Sequence, residues 1–319
     1  MKAKRWAVQP KPDPHWQETF EHHTYVRGTE EERLELRRLA AELRYETAFE
    51  FVDAFFEGDL QPYVGKDRLL DLGCFSGGKT VAYQERFGVR EAWGIDVREV
   101  YIEAAREFAS RKQANAFFRV GVAEDLPFPD GNFDTIISTD VFEHVTDVSR
   151  ALNECYRVLR PGGRLIVVFP SYWHPLEHHL SLVTRMPFIH FLAQGSALVE
   201  IYNEIIDERG ESAAWYRREH PSLLPHERCN TINGTTRRDF KKLVEAMAWE
   251  IEADDRGPTI ARLNPNDPPL KRAIRPVAWR CLNTLSHLPL CDEVFALRIA
   301  MILRKPRVPD PRLGSAPIP

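Results

Sequence analysis

The stretch Leu69-Leu70-Asp71-Leu72-Gly73-Cys74-Phe75-Ser76-Gly77-Gly78 constrains this chain more than any other. An apolar run ends on an acid and enters a glycine-rich turn, and a helical pattern from Lys79 to Phe87 follows. Strand, tight turn and helix in this order form the corner on which nucleotides bind. Glycine allows positive φ and close approach of a ligand to the backbone. The start of the following helix offers N–H groups that have no partner within the helix.

Downstream of the corner, strand and helix patterns alternate. Strands are expected at Arg68–Leu72, Ala92–Val97, Ala116–Val120, Phe133–Ser138 and Arg164–Phe169, with helices at Val100–Lys112 and Val148–Leu159 between them. Arg160-Pro161-Gly162-Gly163 stops the last of these helices. The strands are short, rich in β-branched residues and without polar alternation, which describes a parallel sheet covered on both faces. Right-handed crossovers then give an α/β, doubly wound fold.

Around this core the pattern is less regular. Residues 1–60 read as an arm plus one or two helices over Glu30–Phe56, with Thr29 as N-cap and Gly58 as stop. Residues 61–170 form the corner and its sheet. Residues 171–231 hold many His, Trp, Tyr and Pro residues and two weak helical stretches, near 176–184 and 196–218. Such a length at the C-terminal end of a strand reads as a lid. Residues 232–256 return to the core, with a helix Arg237–Ala248 capped by Thr235-Thr236 and a strand Trp249–Ala253. A second insertion covers 257–292, helical near Ile274–Leu285. A final strand is expected over Val294–Leu303 within 293–304, and a disordered proline-rich tail over 305–319.

Composition narrows the function. The 319 residues include 43 basic and 47 acidic side chains, a formal net charge of −4, which argues against a nucleic-acid-binding protein. The five cysteines form no C-x-x-C pair, so neither a disulfide framework nor a zinc ribbon is expected. No apolar leader follows the basic N-terminus, and no apolar run is long enough to span a bilayer. A soluble, cytoplasmic protein without stable membrane insertion is expected.

Asp96 ends the second strand about 20 residues beyond the turn, where an acid can bind both hydroxyls of a ribose. NAD, an adenosyl sulfonium and other adenosine ligands all fit that placement. The remaining motifs discriminate. Asp71 to Gly77, Gly94-Ile95-Asp96, Ala123-Glu124-Asp125-Leu126-Pro127-Phe128 with Phe133-Asp134, Glu143-His144-Val145 and Arg157-Val158-Leu159-Arg160-Pro161-Gly162-Gly163 occur in order over residues 66–170. This set resembles the class I S-adenosylmethionine-dependent methyltransferases, in the branch that acts mostly on small molecules.

The resemblance implies a seven-stranded, mostly parallel sheet with the last strand antiparallel, helical lid insertions, S-adenosyl-L-methionine as cofactor, and methyl transfer to a small-molecule acceptor. It implies that Gly73, Cys74, Phe75 and Gly77 approach the methionine end of the cofactor, while Asp71 holds the loop and the amino group. Asp96 takes the ribose diol and Val97 packs on the adenine. Ala123 and Glu124 lie at the adenine edge, and Thr139 and Asp140 face the methionine moiety. Two residues depart from the family pattern. Phe75 stands where the middle glycine is usual, so the loop must open or turn the ring away. Val122 stands where an acid often holds the adenine amino group.

His144, just beyond the fourth strand, is the candidate catalytic residue, as a base or as a structural support of the pocket. Tyr172, Trp173, His174 and His178 are candidates for the acceptor pocket, with Trp215 and Tyr216 as further aromatic walls. His174-Pro175-Leu176-Glu177-His178 has the H-x-x-E-H spacing of a zinc site, but Pro175 breaks the regular helix that such a site requires, so no metal is expected. Two alternatives stay open on sequence: a non-catalytic cofactor-binding protein of the same fold, which Phe75 suggests, and a nicotinamide-dependent oxidoreductase.

Overall fold

The computed structural model describes residues 30–49, 55–175, 186–192, 201, 204, 233–255, 269–288, 291–295 and 298–307. Helix α1 spans Glu30–Glu46. Then follow β1 (Arg68–Leu72), α2 (Gly78–Phe87), β2 (Glu91–Asp96), α3 (Glu99–Lys112), β3 (Ala116–Val120), β4 (Phe133–Thr139), α4 (Val148–Val158) and β5 (Leu159–Phe169). A short turn of helix α5 (Ile189–Leu192) precedes α6 (Arg237–Ala246), β6 (Glu250–Asp255), α7 (Pro269–Leu285), α8 (Asp292–Phe295) and β7 (Ile299–Arg304).

The seven strands form one sheet in the order β3-β2-β1-β4-β5-β7-β6. β1 pairs in parallel with β2 and β4, and β7 runs antiparallel to both β5 and β6. The order reverses beside β1, and the crevice above its C-terminal end is where an open α/β sheet binds ligands.

Alternation along the central strands fills both faces. Leu70, Leu72, Ile136, Leu165, Val167, Met301 and Leu303 join one core with Phe142 and Phe240. Leu69, Ile137, Ile166, Val168 and Ile302 join another with Tyr83 and Phe87. β4 is buried along its whole length, as a central parallel strand covered on both sides must be. The two edge strands depart from this: Phe117 and Val120 on β3 and Ile251 on β6 are exposed, because an edge has a neighbour on one side only.

The sequence places β1 and β3 at their observed bounds and most other elements to within two residues. Three expectations need correction. The last strand is shorter than Val294–Leu303: residues 292–295 form α8, and the strand starts at Ile299. β5 starts at Leu159 rather than Arg164. Pro161-Gly162-Gly163 is absorbed as an irregular strand start whose register with β4 shifts between Phe133 and Thr135. The chain at Lys305 is anchored: its N–H donates to Gly163 O (2.9 Å), and its Nζ donates to the Tyr156 and Leu159 carbonyls at 2.7 Å each. The expectations for Thr29, residues 256–268, the tail beyond 307 and most of the lid lie outside the described residues. Within the two weak lid helices only Ile201 and Glu204 are described, both helical. No described helix is long and apolar enough to cross a membrane.

Candidate functional site

The loop from β1 to α2 is built by backbone hydrogen bonds. The N–H groups of Gly73 and Cys74 both donate to Ile95 O at 2.9 Å, tying the loop to the end of β2. Gly73 and Gly77 both have φ +79°, a conformation that favours glycine. Space forbids a side chain too: a Cβ on Gly73 would lie 2.2 Å from Val141 Cγ2. Cys74 is buried beneath the loop, and burial pushes its thiol pKa well up, so it is no nucleophile at neutral pH. Phe75 accepts the left-handed region as well, at φ +50°. Its ring packs on Tyr101, with centroids 3.9 Å apart.

Two carboxylates flank the loop in different surroundings. Asp71 is buried, and Thr80 Oγ1 donates to its Oδ2 at 2.6 Å. Desolvation raises its pKa to about 6, against the opposing pull of Thr80, Lys79 and Arg44. Asp96 is half-buried. Its Oδ2 accepts the Phe75 N–H at 2.9 Å and its Oδ1 accepts the Arg98 N–H at 3.2 Å. Burial raises its pKa too, while the two backbone donors lower it. Each oxygen keeps a further lone pair, so together they can accept from both hydroxyls of a vicinal diol.

Two cations that the sequence reading missed lie beside the loop. Lys79 Nζ donates to Thr139 Oγ1 at 3.0 Å. Its pKa is lowered by burial and by Arg44, and raised by Asp140 and Asp71. Arg44, on α1, lies 4.4 Å above the Phe75 ring and within electrostatic reach of Asp71, Asp96 and Lys79. A signal was present: Arg44 stands one turn after Ala41, which α1 buries, and a cation beside a buried face needs a purpose. Asp140 has φ +59° and pairs with Arg298.

Of the residues expected at the adenine, Val97 is half-buried and Ala123 buried. Ala123 lies in a turn closed by the Val122–Asp125 bridge. The Glu124 carboxylate accepts the Thr146 N–H at 2.6 Å, which ties it to the chain before α4. This bond uses one of its two carboxylate oxygens.

Across the cleft, His144 is partly exposed, with Nε2 3.8 Å from Oε1 of the buried Glu143. Asn233, also missed, holds this segment. Its N–H donates to Glu143 O (2.7 Å) and its Nδ2 donates to Phe142 O (2.7 Å) and Val145 O (2.8 Å). Its Oδ1 accepts from Thr235 N (3.0 Å) and Oγ1 (2.6 Å). Asn233-Gly234 is a turn dipeptide, with Gly234 at φ +80°, and that was its only sequence signal.

The Tyr172 N–H donates to Thr235 O at 3.0 Å, which brings the first lid residues beside this loop. Tyr172 and Trp173 both pack on Phe191, at 5.1 and 4.8 Å. His174 is buried, with its N–H on Ser171 O (3.0 Å). His178, Trp215 and Tyr216 lie outside the described residues. Among those described, no cluster of His, Cys, Asp and Glu could hold a metal.

The donor set fits S-adenosylmethionine. A diol acceptor at Asp96, cations for a carboxylate at Lys79 and Arg44, and a buried acid at Asp71 match an amino acid joined to a ribose. Ser76 Oγ, buried in the loop, has no hydrogen-bond partner among the described residues. Residues 70–167 match the methyltransferase domain family. With the sheet order, that match places this domain in the class I S-adenosylmethionine-dependent methyltransferase family, whose methyl donor is S-adenosylmethionine. The antiparallel β7 completes the expected seven-stranded fold, and the nicotinamide alternative is set aside.

Demethylmenaquinone methyltransferase of Deinococcus radiodurans is 35% identical over 133 residues, 41% of this chain and 54% of the relative. Ubiquinone biosynthesis O-methyltransferase of Mesorhizobium japonicum is 36% identical over 107 residues, 34% of this chain and 42% of the relative. Tocopherol O-methyltransferase of Arabidopsis thaliana is 36% identical over 103 residues, 32% of this chain and 29% of the relative. The chain thus spans about half the length, or less, of these curated relatives.

Proposed function

We propose that this protein transfers a methyl group from S-adenosylmethionine to a small-molecule acceptor. The observation that carries the reading is the placement of Asp96. Its carboxylate is fixed by the Phe75 and Arg98 N–H groups at the end of β2, beside a loop bound to Ile95 O. The names of the three relatives, which point to quinone and tocopherol metabolism, support a small acceptor rather than a macromolecule.

When bound, S-adenosylmethionine supplies an electrophilic methyl for in-line displacement. Asp96 accepts hydrogen bonds from the ribose hydroxyls. Lys79 and Arg44 face the methionine carboxylate, and Asp71 the ammonium, with Thr139 and Asp140 alongside. Gly73, Cys74, Phe75 and Gly77 supply the backbone wall, and Val97 and Ala123 flank the adenine. Tyr172, Trp173 and His174 form the described part of the acceptor wall, where aromatic surface excludes water. His144, with its Nε2 3.8 Å from Glu143 Oε1, accepts the acceptor's proton.

Calorimetric titration of S-adenosylhomocysteine into the wild type and Asp96→Ala tests the reading. Micromolar binding that weakens by about 100-fold in the variant supports it, since two charge-assisted bonds are lost at once. Equal affinity for both proteins removes Asp96 from the site. Wild type that does not bind overturns the cofactor reading, and the non-catalytic cofactor-binding alternative with it.

A further inference from the structure

The residue least expected in the loop is also the one with the most aromatic and cationic company. Phe75 occupies φ +50°, a region that L residues adopt at a cost and that glycine adopts freely. Strain of this kind persists where surrounding contacts over-determine it, and it points to function when it lies at a binding site. The contacts are specific. The Arg44 guanidinium caps one side of the Phe75 ring at 4.4 Å, and Tyr101 lies against the ring at 3.9 Å with an interplanar angle of 45°. Tyr101 is buried, and its hydroxyl accepts from Arg98 Nη1 at 2.8 Å. The Arg98 guanidinium also lies over the Tyr101 ring, at 4.9 Å. The result is a column, Arg44–Phe75–Tyr101–Arg98, that runs from α1 through the loop to the start of α3.

The column begins and ends at the cofactor residues. The backbone N–H groups of Phe75 and Arg98 hold the two oxygens of Asp96. Arg44 acts electrostatically on Asp71, Asp96 and Lys79. A long arginine side chain loses much rotamer freedom when it is fixed, and a stacked face lets it be fixed before the ligand arrives. A glycine at position 75 would leave α1 without this contact.

We propose that Phe75 is a positioning residue: its ring, wedged between Tyr101 and Arg44, holds the Arg44 guanidinium at the methionine end of the cleft as a preformed clamp for the cofactor carboxylate. This rests on the cofactor reading above and deepens it. The Phe75 substitution then does not degrade the glycine loop; it trades loop freedom for a fixed cation delivered from α1.

The test compares two ligands by calorimetry: S-adenosylhomocysteine, and 5′-methylthioadenosine, which keeps the adenosine and lacks the amino-acid end. The proteins are wild type, Phe75→Gly, Phe75→Tyr, Arg44→Met and the Phe75→Gly/Arg44→Met double variant. Glycine adopts the loop conformation without strain, and thermal melts confirm folding. Phe75→Gly is expected to weaken S-adenosylhomocysteine about tenfold and 5′-methylthioadenosine less than about twofold, because only the former carries the carboxylate. Phe75→Tyr retains wild-type affinity for both. The double variant binds no more weakly than Arg44→Met, since the two residues act as one unit. Equal losses for both ligands in Phe75→Gly, or additive losses in the double variant, overturn the proposal. If neither ligand binds wild type, the cofactor reading fails and this proposal fails with it, a result distinct from the other two.

Discussion

The cofactor half and the acceptor half of the cleft are held together in different ways. Beside the glycine loop the fixing contacts are close in sequence: Thr80 to Asp71 across 9 positions, Phe75 to Asp96 across 21. On the other side they span the chain. Asn233 reaches Phe142 across 91 positions, and Ser171 Oγ donates to Glu293 across 122. Glu293 also accepts the N–H groups of Arg237 and Arg238 and so caps α6 from afar. A loop that carries its own supports can be kept intact while lids are exchanged around it. A pocket fixed by a few long-range side chains can be rebuilt by changing those few.

The contrast is sharpest at Asn233. Asn233→Ala strands two carbonyls, Phe142 O and Val145 O, and deprives Thr235 of its acceptor. Each stranded group costs about 1–3 kcal/mol, so a loss of about 4 kcal/mol is expected in urea unfolding. Affinity for S-adenosylhomocysteine is expected to stay within about threefold, as the loop half does not depend on this residue. A parallel collapse of cofactor binding would show that the two halves are one unit.

Asp71 tests the loop half by pH. Its pKa rises from an ordinary 3.8 to about 6 because the fold buries it. The folded state therefore binds this proton more tightly than the unfolded state, and stability falls as pH rises from about 4 through 6, then levels. The shift corresponds to about 3 kcal/mol. Asp71→Asn is expected to remove that slope and to raise stability at pH 7.5, while S-adenosylhomocysteine binds more weakly. A flat profile in the wild type would mean that Asp71 is better solvated than its burial implies.

The same contrast explains what could be read from sequence. β1 and β3 were legible to the residue because apolar runs bounded by Asp71-Leu72-Gly73 or by Gly121 carry their own ends. Asp71, Gly73, Gly77 and Asp96 were legible because spacing alone fixes an acid and glycines around a turn. Residues 294–295 read as strand from the alternation around Phe295. They fold within α8, whose Glu293 is drawn to the start of α6, a partner that no local pattern reveals. Glu124 was assigned to the adenine for its place in a motif, and one of its oxygens is taken by the Thr146 N–H. Arg44 and Asn233 were missed for the same reason: each acts on residues far along the chain.

Gly78 lies where α1 joins the loop half. A Cβ there would lie 2.1 Å from Ala41 O and 2.7 Å from Tyr45 N, and backbone atoms cannot rotate away. Gly78→Ala should push α1 outward at a cost of about 2 kcal/mol, in the range for overpacking. S-adenosylhomocysteine affinity should fall with it, since Arg44 moves with α1. Retained affinity would make α1 a mere cover.

The smallest effect is expected at the rim of α1, and it decides what holds that helix. Arg38 Nε donates to Glu107 Oε1 at 2.8 Å, and Glu42 receives Arg111 and Lys112 at 3.4 and 3.1 Å. All these side chains are about a third exposed or more, so water and salt screen them. Arg38→Ala is expected to leave the urea midpoint almost unchanged, and any difference should vanish in 0.5 M NaCl. The close seat of α1 on Gly78 and the packing of Ala41 and Tyr45 would then carry the docking, with the ion pairs setting only the helix's register. A cost near that of Gly78→Ala, abolished by salt, would reverse this order and make cofactor affinity sensitive to ionic strength through Arg44.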